Sequence, residues 1–267
     1  MKYPKRIKRR RLHKERRAFA AFLAPSFIGV MIFVLLPFVD VIQRSFMTVM
    51  SGKFVGLDNY KKVFTNQAFI LAVKNTLHFI GTAIPLLVLL GLAAALVLSK
   101  IKEISIIKSL YLFPMAMPTA TVVIVWRMFF FKQDFNSLVI SYLWKNTGYT
   151  IVLWLAGIAA IPNELIEAAR VDGANRWKCF IFVKLPCLKG SVYTIVVLSF
   201  LNSVKIYREA YLVAGSYPGQ DIYLIQHTFN NWYVNLDFDK LAAATVVVGS
   251  VLFVVIILLN FLWNREL

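Results

Sequence analysis

Six stretches of roughly twenty predominantly apolar residues run through this chain, each long enough for a helix to cross a bilayer core about 30 Å thick. They cover residues 19–43, 76–98, 106–131, 140–161, 192–214 and 242–263. The alternating pattern of membrane barrel strands is absent from the sequence, so each stretch is expected to be a helix that satisfies its own backbone. Of 267 residues 59% are hydrophobic and 16% charged, too little polar surface to cover that apolar mass in water. The fold class this predicts is all-α integral membrane, with six transmembrane helices. The first stretch is too long for a secretory signal core and no small-residue cleavage site follows it, so it is expected to remain as a span.

The formal net charge is +17, from 30 basic and 13 acidic residues. Much of it lies in residues 1–18, directly before the first apolar run. Such a block reads as a cytoplasmic anchor facing anionic lipid, and no motif that reads DNA or RNA accompanies it, so nucleic acid is not an expected partner. The loop with Lys100, Lys102 and Lys108 and the longer 162–190 loop, with Arg170, Arg176, Lys178, Lys184 and Lys189, fall on the same side. The opposite side carries the sparser Lys53, Lys61, Lys62, Lys132 and Lys240. The bias places both termini in the cytoplasm. Cys179 and Cys187 then read as reduced thiols. No histidine stands near them in sequence, so no metal site is expected there, and no catalytic set is found.

Proline lies inside the first three spans, at Pro25, Pro37, Pro85, Pro114 and Pro118. Each is expected to kink its helix, and kinked helices can open a central cavity. The polar residues within spans each need a partner in hydrocarbon. In the fifth span Ser199, Asn202, Ser203 and Ile206 recur at three- and four-residue spacing, hence on one face. The fourth span carries Asn146, Gly148 and Tyr149. The bland alternative for the serines is close packing between helices. Glu209 is expected to neutralise Lys205 at i−4, with Arg208 snorkelling to the interface. His78 reads as a packing hydrogen-bonder.

The 162–190 loop holds the most informative pattern. Pro162 stops the fourth span, and Asn163 is a fair N-cap for a short helix with Glu164 and Glu167 in its first turn. Gly173 supplies a turn into a second short helix whose Trp177, Phe180 and Ile181 share a face, and Pro186 marks the return to the membrane. Two short helices at the interface suggest a docking platform; a solvated loop is the alternative.

Glu167-Ala168-Ala169, Asp172-Gly173-Ala174, Phe180 and Leu185-Pro186, preceded by Ile161-Pro162, resemble the EAA signature of permease subunits of binding-protein-dependent ABC importers. Val55-Gly56-Leu57-Asp58-Asn59-Tyr60 and Tyr207-Arg208-Glu209-Ala210-Tyr211-Leu212-Val213 are similar to segments of the MalF-like half of carbohydrate permeases. The resemblance spans nearly the whole chain. Two departures lie on the outer side: a short external connection near residues 136–140, and Gly215-Ser216-Tyr217-Pro218-Gly219 where the branch has Gly-Gly-Pro.

The resemblance implies a type I ABC importer permease fold, with a five-helix core over 69–263 preceded by an extra helix. It implies as partners a MalG-like second permease, two ABC ATPase subunits and an extracytoplasmic solute-binding protein, in a bacterial-type cell membrane. ATP and Mg would sit on the ATPase subunits, and this chain, which has no Gly-x-x-x-x-Gly-Lys-Ser/Thr phosphate loop, would bind no cofactor. Glu167, Ala168, Ala169, Asp172 and Gly173 would form the coupling helix. Ser199, Asn202, Ser203 and Ile206 fall on positions that contact sugar in MalF-like subunits, and Asn146 and Tyr149 fall near a sugar-facing stretch. Amides and hydroxyls bond sugar hydroxyls, and aromatic faces stack on the ring. The implied function is import of a sugar, an oligosaccharide above all. Alternatives are an anionic solute such as glycerol phosphate, served by Lys205 and Arg208, a membrane-embedded lipid-modifying enzyme, or a scaffold. The enzyme would need convergent acid–base or metal groups, whereas Asp40, Asp134 and Asp221 are scattered.

Overall fold

A computed structural model describes residues 19–101, 105–130 and 134–264. The basic block, Lys102, Phe131 and Lys132 lie outside them. The described residues are helical apart from turns and one isolated antiparallel bridge, Met47 to Phe54. Four helices are long and apolar enough to cross a membrane, and up to six spans result if each of two bent helix pairs counts as one. The described residues divide into two compact units, those up to 63 with 236–250, and those of 64–235 with the residues from 251 on.

In the first unit, α1 (Phe19–Ser45) is apolar on all sides as far as Val39, with Phe22 and Phe33 in the open, as suits a helix bathed in lipid. It contains a π-helical turn, Met31–Leu35, closed by Leu36 N–H on the Met31 carbonyl. Pro37 follows directly. Its ring would crowd the Phe33 carbonyl and it has no N–H to give, so the helix widens one turn ahead of it. After α1 the chain turns through the Met47–Phe54 bridge into α2 (Asp58–Phe64). Asn59 is fully buried there and donates to the carbonyls of Ser45 (3.1 Å) and Met47 (2.9 Å), while the Ser45 and Tyr60 hydroxyls share a 2.7 Å hydrogen bond. The Val49 N–H donates to Asp239 at 2.7 Å.

The second unit is built around α3 (Gln67–Leu98) and α6 (Phe135–Ala159). Asn66 caps α3 by accepting from the Phe69 N–H at 2.9 Å, and Pro85 is accommodated inside it. A reciprocal box starts α6: the Ser137 N–H donates to the Asp134 carboxylate, and the Asp134 N–H to the Ser137 hydroxyl, each at 3.0 Å. Both bonds satisfy otherwise orphaned helix-start donors. The box makes α6 begin before the expected 140, so residues 136–140 are helix and not an external loop. Its buried face meets α3 in two apolar clusters, one around Phe79, Leu87, Tyr142 and Ile206, the other around Leu98, Trp154, Leu188 and Ile195.

The expected third span is not one continuous helix. α4 (Ser105–Ala116) and α5 (Thr119–Phe129) meet at Met117 and Pro118 with a bend of 106°. In a straight helix the Pro114 carbonyl would face the nitrogen of Pro118, which has no hydrogen. It accepts instead from the Met117 N–H, at 3.4 Å, and Pro118 starts the new helix through its own carbonyl.

The fifth span is one helix, Lys189–Ala214, that tightens midway: α9 (Lys189–Ser203) passes through a 3₁₀ turn at Val204–Ile206 into α10 (Tyr207–Ala214). Between α6 and α9 lie α7 (Asn163–Val171) and α8 (Arg176–Cys179), the latter continuing through a π-helical turn, Phe180–Lys184, again just before a proline, Pro186. α11 (Ile225–Val234) precedes α12 (Phe238–Asn264).

Candidate functional site

The loop signature folds into an exposed platform. Pro162, not Asn163, occupies the cap position of α7 and makes no side-chain cap bond, so Asn163 is the first helical residue. Ile166 packs on the apolar cluster of Leu188 and Ile195 and anchors the helix. Glu167, Ala168, Asp172 and Gly173 are exposed and Ala169 is half-buried. α7 ends in a Schellman turn, with Gly173 N–H on the Arg170 carbonyl (3.0 Å) and Ala174 N–H on the Ala169 carbonyl (2.9 Å). That turn needs the left-handed conformation at Gly173, which has φ +80°, where a side chain would be strained. Asn175 then caps α8 by accepting from the Lys178 N–H at 2.8 Å. Val171 and Trp177 stand open beside the charges, Trp177 stacked on Phe180. An exposed helix that mixes carboxylates with open apolar side chains is a surface fit for a protein partner.

The polar residues of α6 and α9 form a seam, though not the single stripe expected. The Tyr149 hydroxyl shares a 2.9 Å hydrogen bond with Ser199, and the Tyr142 hydroxyl donates to the Ser199 carbonyl at 2.6 Å. Asn146 donates to the Tyr142 carbonyl (2.8 Å) and Ser203 to the Phe200 carbonyl (2.6 Å). Ser199, Ser203 and Ile206 are buried, Ile206 within the Phe79–Tyr142 cluster. Asn202 lies further around α9, half-buried, and accepts from Lys205 at 3.3 Å. The structure therefore joins Tyr149 to Ser199, sets Asn146 beside them, and leaves Asn202 apart.

The expected Lys205–Glu209 pair is not formed. Lys205 belongs to the 3₁₀ turn, which breaks the helical register that i−4 spacing assumes. Glu209 is buried and is paired with Lys145 of α6, whose ammonium also reaches the Thr119 hydroxyl at 3.3 Å. Lys145 was overlooked in reading the sequence, although a lone cation in the middle of an apolar span carries the signal directly. Arg127 was overlooked likewise; it donates to the carbonyls of Leu212 (2.8 Å) and Val213 (3.0 Å). His78 is a ring-stacking residue, 4.3 Å from Phe135 between centroids.

Residues 87–265 match the family described as "Binding-protein-dependent transport system inner membrane component". The chain belongs to that family. It is a multi-pass membrane permease subunit, and such subunits are not themselves enzymes. The permease is 26% identical to "Trehalose/maltose transport system permease protein MalF" of Thermococcus litoralis, over 78% of this chain and 80% of that one. It is 27% identical to "Arabinooligosaccharides transport system permease protein AraP" of Bacillus subtilis, over 90% and 85%. Its fold is similar to a chain in the crystal structure of a bacterial ABC transporter involved in import of the acidic polysaccharide alginate, with TM-score 0.76, 20% identity, and 96% and 99% of the two chains covered.

Proposed function

We propose that this permease forms half of the transmembrane path of an ATP-driven importer for a sugar, above all an oligosaccharide, delivered by an extracytoplasmic solute-binding protein. Six spans with both termini in the cytoplasm, a MalG-like second permease and two ABC ATPase subunits complete the reading. ATP and Mg would be held by the ATPases and no cofactor by this chain, in a bacterial-type cell membrane. The observation that carries it is the exposed, Schellman-terminated α7 between α6 and α9, in a chain whose named relatives serve trehalose/maltose and arabinooligosaccharides. In this reading Glu167, Ala168, Ala169, Asp172 and Gly173 seat in a groove of the ATPase. Closure of the ATPases draws the platforms together and rocks the attached spans, a switch between two packed states. Asn146, Tyr149, Ser199, Asn202, Ser203 and Ile206 define the path, with the half-buried Tyr149 and Asn202 presenting an aromatic face and an amide to the solute.

One observation favours a second solute class. With Glu209 committed to Lys145, neither Lys205 nor Arg208 has a carboxylate partner among the described residues, and both are exposed. Two such cations suit an anionic solute. The test is the cognate receptor against a panel of neutral and acidic glycans, followed by ATP hydrolysis of the assembled transporter with each receptor complex. Neutral oligosaccharides should bind and stimulate hydrolysis, and Lys205→Gln with Arg208→Gln should leave their uptake intact. Stimulation by acidic ligands alone, lost in that double variant, would establish the second reading in place of the first.

A further inference from the structure

Two irregularities in the helical framework serve the same pair of segments. α5 is separated from α4 by the 106° bend at Met117 and Pro118, and α10 continues from α9 through the 3₁₀ turn at Val204–Ile206, within the helix Lys189–Ala214. A short 3₁₀ stretch within a long helix is a common hinge. α5 and α10 are fastened to each other, since Arg127 of α5 holds the Leu212 and Val213 carbonyls near the end of α10. They therefore form a small lobe with a hinge at the root of each arm.

One side chain on the long, continuous α6 grips both arms. The Lys145 ammonium is paired with Glu209 on α10 and reaches the hydroxyl of Thr119, the first residue of α5. The Lys145 side chain is 20% exposed and that of Glu209 7%. The cavity beside Glu209 is lined by Trp126, Phe130, Leu138 and Val213 together with Ser137, Ser141 and the Asp134 carboxylate, so among the described residues Lys145 is the only cation of these neighbours. A carboxylate in such surroundings is costly to leave unpaired, so intermediate separations are disfavoured. The pair is either closed or parted widely enough for both groups to be hydrated.

We propose that the Lys145–Glu209 pair is a latch that holds the α5–α10 lobe against α6, and that Lys145 is a positioning residue for solute passage. Opening the latch lets the lobe swing on Met117–Pro118 and Val204–Ile206 as the transporter changes state. The proposal rests on the permease reading of the chain and is independent of which solute is carried.

The test uses the complete transporter in lipid vesicles, with spin labels at the exposed positions 212 on α10 and 140 on α6, and Cys179 and Cys187 replaced by serine. One short distance is expected in the resting wild type, and a second, longer population in both Lys145→Met and Glu209→Gln. Receptor-independent ATP hydrolysis should rise about threefold or more as the state equilibrium shifts. The exchanged pair, Lys145→Glu with Glu209→Lys, should restore both readouts, and Lys145→Arg should keep them. An unchanged distance in the single variants, or an exchanged pair as defective as either single variant in an assembled complex, would overturn the latch. Should Lys145→Met not assemble, Glu209→Gln reads the same displacement. A wild type never stimulated by any loaded receptor would instead count against the importer reading, while the distances still report on the latch.

Discussion

Gly148 marks the tightest crossing in the second unit, and adding one methyl group there should loosen it. A Cβ built on Gly148 would lie 1.7 Å from the Tyr111 carbonyl oxygen and 2.5 Å from its carbon. Ordinary contact begins near 3.4 Å, so α4 would have to withdraw from α6 by roughly 1.5–2 Å. The obstructing group is helix backbone, which cannot rotate away as a side chain can. Gly148→Ala should therefore cost about 3 kcal/mol, the upper end of overpacking penalties. Gly81 provides the control, since a Cβ there meets nothing within 4 Å. Gly81→Ala should be neutral or stabilise by up to about 1 kcal/mol through helix propensity. The assay is equilibrium unfolding of the purified permease in mixed micelles, followed by tryptophan fluorescence, with assembly into the complex measured in parallel. Equal stability of Gly148→Ala and wild type would refute the close α4–α6 crossing.

Three further outcomes follow from particular residues. His227 is fully buried, accepts the Leu224 N–H at 3.0 Å, and has its pKa lowered by burial to about 4. The unfolded chain binds that proton more readily, so stability should fall as pH drops from about 6.5 to 4, by at most roughly 3 kcal/mol. His227→Gln should flatten that slope in an unfolding titration, and an unchanged slope would contradict the assignment. Asn202→Leu should lower solute uptake about five- to tenfold, the worth of one or two hydrogen bonds, with receptor-independent ATP hydrolysis unchanged; unaltered uptake kinetics would make Asn202 a packing residue. Gly173→Val should strain the φ +80° turn and abolish solute-stimulated hydrolysis, with the permease still inserted; wild-type stimulation would count against docking through α7.

Much of the helical framework could be read directly, because hydrocarbon demands long apolar runs, although the second helix starts at Gln67 behind its Asn66 cap and not at the expected 76. The break at Met117 could not be read from composition. Pro85 and Pro114 sit inside helices while Pro118 starts a new one after the bend, and only the packed structure shows that the Pro114 carbonyl turns to the Met117 N–H. The partner of Glu209 was misassigned for a related reason. Spacing of four residues brings side chains together along regular α-helix, and Lys205 itself sits in the 3₁₀ turn that precedes the helix of Glu209. The split of the α9 stripe into a buried trio and a separate Asn202 depends on where α6 lies, which no local pattern encodes. The αL turn at Gly173, by contrast, was legible because glycine after a short helix has few other uses.

ATP-driven uptake tests the central claim most directly. The permease, its paired permease and the two ATPases are reconstituted in vesicles with ATP enclosed, and labelled oligosaccharide is supplied outside with the loaded receptor. Accumulation against a gradient is expected, dependent on ATP and on this chain, and abolished by Glu167→Lys in a complex that still contains the inserted permease. Accumulation undiminished when this chain is omitted, or when Glu167 is replaced by lysine, would contradict the account.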